Sequence, residues 1–97
     1  MLSGYIKKAL ELGANALEVE YKDRQEQICA MRGPMGVSIG SVPSNSKESA
    51  QLYDEIEALQ KAKKIEIGSV VFRATVEEFD SFGETAHRIQ LAKAKSR

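Results

Sequence analysis

The chain has 97 residues, with 14 lysines and arginines balancing 14 aspartates and glutamates, one histidine and one cysteine. This length supports one hydrophobic core and not two, and zero net charge excludes a surface tuned as a whole for nucleic acid or anionic membrane. A lone cysteine rules out an internal disulfide and fits a reducing compartment. No apolar run approaches the roughly 20 residues that a membrane helix needs.

The opening stretch MLSGYIKKALELG carries lysines inside its apolar periodicity and has no secretory apolar segment. Leu2, Tyr5, Ile6, Ala9, Leu10 and Leu12 recur at helical spacing, and Gly13 stands where a left-handed residue ends a helix. In ALEVEYKD, Leu17, Val19 and Tyr21 alternate with Glu18, Glu20 and Lys22, the pattern of a half-buried strand. DRQEQ reads as a polar turn and ICAMR as a second strand, apolar on both faces. After the turn dipeptide Gly33-Pro34, Met35, Val37 and Ile39 alternate with Gly36, Ser38 and Gly40, a third strand with one face nearly bare of side chains.

VPSNSKESA is the clearest break. Asn45 and Glu48 have the spacing of a capping box, and Leu52, Ile56, Leu59 and Ala62 form the apolar stripe of a second helix. Lys61, Lys63 and Lys64 complement the dipole at its C-terminal end. SVVFRATVEEF and TAHRIQLA then alternate as two strands joined by DSFGE, a hairpin. The tail from residue 92, with Lys93, Lys95 and Arg97, is expected to be a frayed basic end. The predicted fold is one α+β domain over residues 1–97, in the order α-β-β-β-α-β-β, with two helices packed on one face of a mainly antiparallel sheet.

The glycines of RGPMGVSIG invite a phosphate-loop reading. They lead into an alternating strand rather than a helix, Pro34 removes an amide, and no Gly-Lys-Ser/Thr follows, so the segment is architectural. Cys29 sits among apolar strand residues, and the lone His87 is the only imidazole that could activate it. Core or sheet-face roles are expected for both, and no catalytic pair, metal site or cofactor is predicted. The pairs Glu18/Glu20 and Glu77/Glu78 read as hydrated strand faces. Arg73 and Arg88 fall on adjacent strands opposite the apolar set. Neighbouring guanidinium groups on an open face can hold an acidic partner or pair with the glutamates beside them.

Residues ALELGANALEVEYKDRQEQICAMRG resemble the stretch that opens the N-terminal domain of type II secretion and type IV pilus ATPases. In that family a helix ending in A-x-x-x-G-A leads into a strand holding an acid, then into R-x-x-G. Ala9, Gly13 and Ala14 match the helix end, Glu20 the acid, and Arg32 with Gly33 a shortened strand end. FRATVEEFDSFGETAHRIQLA is similar to that family's later paired strands through Phe72, Arg73, Gly83, Glu84, Arg88 and Ile89. The family's Ser-Asp-Ile-His is replaced by Asn15, Ala16, Leu17 and Glu18, and this sequence has no P-loop or motor domain. The resemblance implies a free-standing relative of the PAS-like module beside the motor, without ATPase activity, that binds a protein partner.

The expected function is therefore a cytoplasmic, non-catalytic interaction module. It would meet a protein partner, or a second copy of itself, through the open sheet face at Arg73, Thr75, Arg88 and Gln90. The alternative is a small-molecule-sensing domain with a pocket between helix two and the sheet. Nucleic-acid binding is not expected, because the strand aromatics Tyr21 and Phe72 fall on the apolar faces rather than on an open platform.

Overall fold

The computed structural model describes residues 1–94. Its elements are α1 (Leu2–Glu11), β1 (Ala16–Lys22), β2 (Gln25–Arg32), β3 (Met35–Pro43), α2 (Lys47–Ala62), β4 (Lys64–Ile67), β5 (Val70–Ser81) and β6 (Glu84–Lys93). The strands form one antiparallel sheet in the order β3-β2-β1-β6-β5-β4, so β1 and β6 are its centre. Both helices lie on one face, as the alternation predicts. There Leu2, Ile6 and Ala9 of α1 and Leu52, Ile56 and Leu59 of α2 meet Leu17, Val19, Ile28, Ala74, Ile89 and Leu91 of the sheet. Ile6, Leu17, Ile28, Leu52, Ile89 and Val19 are the largest fully buried side chains. Each such burial stabilises by about 1.5–3 kcal/mol before entropy is counted. The helices are also tied to each other, since the Leu2 amide donates to Glu55 Oε1 at 2.7 Å.

Local chemistry sets the element ends. Gly13, at φ +81°, closes α1: its amide donates to Leu10 and that of Ala14 to Ala9, the paired bonds of a Schellman motif. At α2 the cap lies one residue beyond the predicted Asn45/Glu48 pair. Ser46 is the N-cap and Ser49 its reciprocal partner, with amide-to-hydroxyl bonds of 3.0 and 3.1 Å. Asn45 instead takes a left-handed turn position at φ 58°. Lys63 ends the helix in the left-handed conformation, and Lys64 already belongs to β4.

Strand β4 is the element that the sequence pattern hides. It pairs with β5 through a two-residue turn at Gly68-Ser69, so its four residues KIEI put Ile65 and Ile67 on the helix side. The β1–β2 turn is likewise only Asp23-Arg24, both at positive φ, and the polar run Gln25–Gln27 is strand rather than turn. Neither does β6 fray at residue 92. Ala92 and Lys93 pair with Arg73 and Phe72, and the Ala94 amide donates to Val71. The rest of the expected tail, 95–97, lies outside the described residues.

Two turn and edge features carry consequences. The β5–β6 turn, Phe82-Gly83, has both residues at positive φ, and Phe82 is fully exposed. A bulky side chain is strained there, whereas Asn-Gly suits this turn. Phe82→Asn is therefore expected to raise stability by about 1 kcal/mol in denaturant unfolding. On β3, Met35 and Val37 remain exposed, lining an open apolar pocket with Leu12 and Ala14 at the end of α1. The expected bare face of β3 is split by a bulge. Ser38 and Gly36 stand opposite Cys29 and Met31 on the open face, whereas Gly40 stands opposite Ile28 on the helix side, where a Cβ would lie 2.6 Å from Tyr5 Cε1. Gly40→Val should push the Tyr5 ring off the sheet and cost about 1–3 kcal/mol, readable by the same unfolding measurement.

Candidate functional site

The predicted partner face is where the alternation puts it. Arg73, Thr75, Arg88 and Gln90 all lie on the side of the sheet away from both helices, with Thr75 directly opposite Gln90. The two arginines are not neighbours, however. Arg88 stands opposite Glu77 and Arg73 opposite Ala92, four residues further along, a separation of about 13 Å at the rise of a strand. Arg88 is moreover occupied: its Nη1 donates to Glu18 Oε2 at 2.5 Å and its Nη2 to the Gly33 carbonyl at 3.4 Å. That ion pair is four-fifths buried, so Arg88 ties β6 to β1 and to the β2–β3 turn. Arg73, Thr75 and Gln90 are exposed, and Arg73 has no ion-pair partner among the described residues. Glu20 is engaged as well, accepting from Ser81 Oγ at 2.8 Å.

Cys29 and His87 lie on opposite faces of the sheet. Cys29 pairs in register with Glu18 on the open face, whereas His87 pairs with Val19 on the helix side. The two side chains cannot form a thiol–imidazole pair. Burial, and then the negative charges of Glu20 and Glu18, push the Cys29 thiol above its ordinary value. Alkylation of the folded protein by iodoacetamide at neutral pH, followed by mass spectrometry, should thus be slower than for a free cysteine and should speed up on unfolding.

The densest polar arrangement is on the helix side, at the end of the sheet where the β1–β2 and β5–β6 hairpins turn. Here a pocket of about 420 Å³ opens between α2 and the sheet, lined by Tyr21, Glu26, Ser44, Asn45, Tyr53, Glu84, Thr85 and His87. Its floor is Glu26, only 6% exposed although it is the second residue of β2. Two hydroxyls hold its carboxylate: Tyr53 from α2 donates to Oε1 and Ser44, in the loop before α2, to Oε2. Each carboxylate oxygen thereby keeps acceptor capacity to spare. Glu26 has no ion-pair partner among the described residues.

The Tyr53 ring packs at a tilt on His87, with ring centroids 5.4 Å apart. Burial, then the bond to Glu26 and the charges of Glu26 and Glu84, push the Tyr53 hydroxyl well above its ordinary value, so it stays a donor. His87 Nε2 faces Glu78 at 3.8 Å, while its Nδ1 is buried without a hydrogen-bond partner. Sequence reading places His87 and Tyr21 on the apolar face but misses Glu26, Ser44 and Tyr53. Glu26 is hidden in a run read as a turn, and Tyr53 falls beside the stripe of α2.

Among the described residues no group of three or more His, Cys, Asp or Glu side chains could hold a metal ion, and no helix is long and apolar enough to cross a membrane. Comparison of the chain with protein-family models and with curated proteins finds no match.

Proposed function

We propose that the protein is a non-catalytic binding module that takes a small ligand in the pocket between α2 and the sheet. One observation carries this reading: a buried carboxylate, Glu26, forms the pocket floor, fixed by hydroxyls from two separate segments and left without a counter-charge. A structural core has no need of such a group, because burying a charge is costly unless something compensates it. A polar pocket with a few fixed polar groups and aromatic walls is the usual form of a small-molecule site.

Thermal unfolding across a metabolite panel tests the reading. A specific ligand at 100 times its Kd adds about 2.7 kcal/mol, a rise of roughly 10 °C or more for a domain of this size. The rise should shrink in Tyr53→Phe, which removes a hydroxyl from the floor. A panel that leaves the melting temperature unmoved, or moves it equally in the variant, counts against the pocket.

A second reading is supported by a separate observation: the sheet face away from the helices is uncovered and carries Arg73, Thr75 and Gln90 in the open. We propose it as a contact surface for a protein partner, in keeping with the resemblance to the secretion and pilus ATPase module. Because Arg88 is tied to Glu18, Arg73→Glu is the informative variant. Capture of a partner by the wild type and its loss in Arg73→Glu would support this surface.

A further inference from the structure

The chemistry of the pocket selects among ligand classes, on the premise that the pocket is the binding site. Its lining includes two carboxylates, Glu26 and Glu84, and no lysine or arginine. Its two best-placed donors, the Tyr53 and Ser44 hydroxyls, are both spent on Glu26. An anion would meet repulsion from both carboxylates with no lysine or arginine to offset it, and a neutral polar ligand would leave the buried charge as it is. A cation would supply what the floor lacks. The walls fit the same occupant, since the rings of Tyr21, Tyr53 and His87 line the pocket, and aromatic faces attract organic cations. A bare metal ion is a poorer fit, because no group of three or more ligating side chains is present among the described residues.

We propose that the pocket binds a small organic cation, a primary ammonium or a guanidinium ion, with its charge beside Glu26 and its apolar body against Tyr21 and Tyr53. The N–H donors of either ion can use the acceptor capacity that the two hydroxyls leave on the Glu26 carboxylate. Glu84, exposed at the rim, adds attraction at longer range.

The test is an NMR titration of the full chain with four probes that share one short alkyl body: n-butylammonium, n-propylguanidinium, n-butanol and butyrate. At least one cation should shift the Tyr53 and His87 ring signals saturably, with the alcohol and butyrate about tenfold weaker or worse. Glu26→Gln should weaken the cation about tenfold. Glu84→Gln, at an exposed rim position, should weaken it by about threefold and lessen the salt dependence. Butanol or butyrate binding as well as the cations at these same signals would overturn the charge assignment and leave the pocket standing. Failure of all four to move the Tyr53 and His87 signals would overturn this proposal, while the metabolite panel would still decide the pocket. Cation shifts spread over scattered surface carboxylates and unchanged by both variants would overturn it as well.

Discussion

Ile89→Ala is expected to lower the stability of the protein by about 3–4 kcal/mol. Ile89 is fully buried at the centre of β6, in register with Leu17 on one side and Val76 on the other. It faces the apolar residues of both helices through a single shared core. Truncation removes three carbons from a site where strands on both sides fix the backbone, so the cavity cannot collapse fully. A domain of this size has about 5–15 kcal/mol in total, and the loss should lower the melting temperature by on the order of 15 °C. Urea unfolding followed by circular dichroism measures it, with Ile89→Val as the milder control at about 1 kcal/mol. Equal small losses for both variants would place Ile89 outside the core.

Arg88→Glu should cost about 2–4 kcal/mol, whereas Arg73→Glu should stay within about 0.5 kcal/mol of the wild type. The two substitutions are the same chemically, and their environments separate them. Arg88 is four-fifths buried against Glu18 and stands opposite Glu77, so reversal puts a carboxylate between two others and frees the Gly33 carbonyl. Arg73 is exposed between Ala92 and Lys64, where a glutamate meets an exposed lysine. Partial burial keeps solvent from screening the first pair, so the loss of Arg88 should persist in 0.5 M salt. Parallel denaturant curves for the two variants check the contrast, and similar losses in both would refute the tie between β6 and β1.

Those contrasts show which parts of the molecule are legible in the chain. Strict alternation at Leu17–Val19, Phe72–Val76 and His87–Leu91 places each residue on its observed face, because a half-buried strand leaves little freedom of register. Where a local feature competes with the alternation, the reading shifts. KIEI follows a run of lysines that suits a helix end, and its four residues are too few for period two to stand out. Gln25–Gln27 has the composition of a turn, but Glu26 is buried, and only Tyr53 and Ser44 make that possible. These partners lie 27 and 18 residues away, beyond any local pattern. The open face was therefore visible in the sequence, and the pocket floor was not. The same holds for Arg88, whose type and face are local facts while its pairing with Glu18, 70 residues away, depends on how β6 joins β1.

The register of β1, β2 and β6 brings Glu26, Tyr53 and His87 into one polar site beneath α2. A carbon-edited NOE experiment on uniformly labelled protein tests it most directly, with the exchange of the Tyr53 hydroxyl proton read from the same sample. Cross-peaks are expected between the Tyr53 and His87 ring protons, matching centroids 5.4 Å apart, together with a slowly exchanging Tyr53 hydroxyl held by Glu26. Cross-peaks from the His87 ring to Cys29 in place of Tyr53, or a freely exchanging Tyr53 hydroxyl, would contradict it.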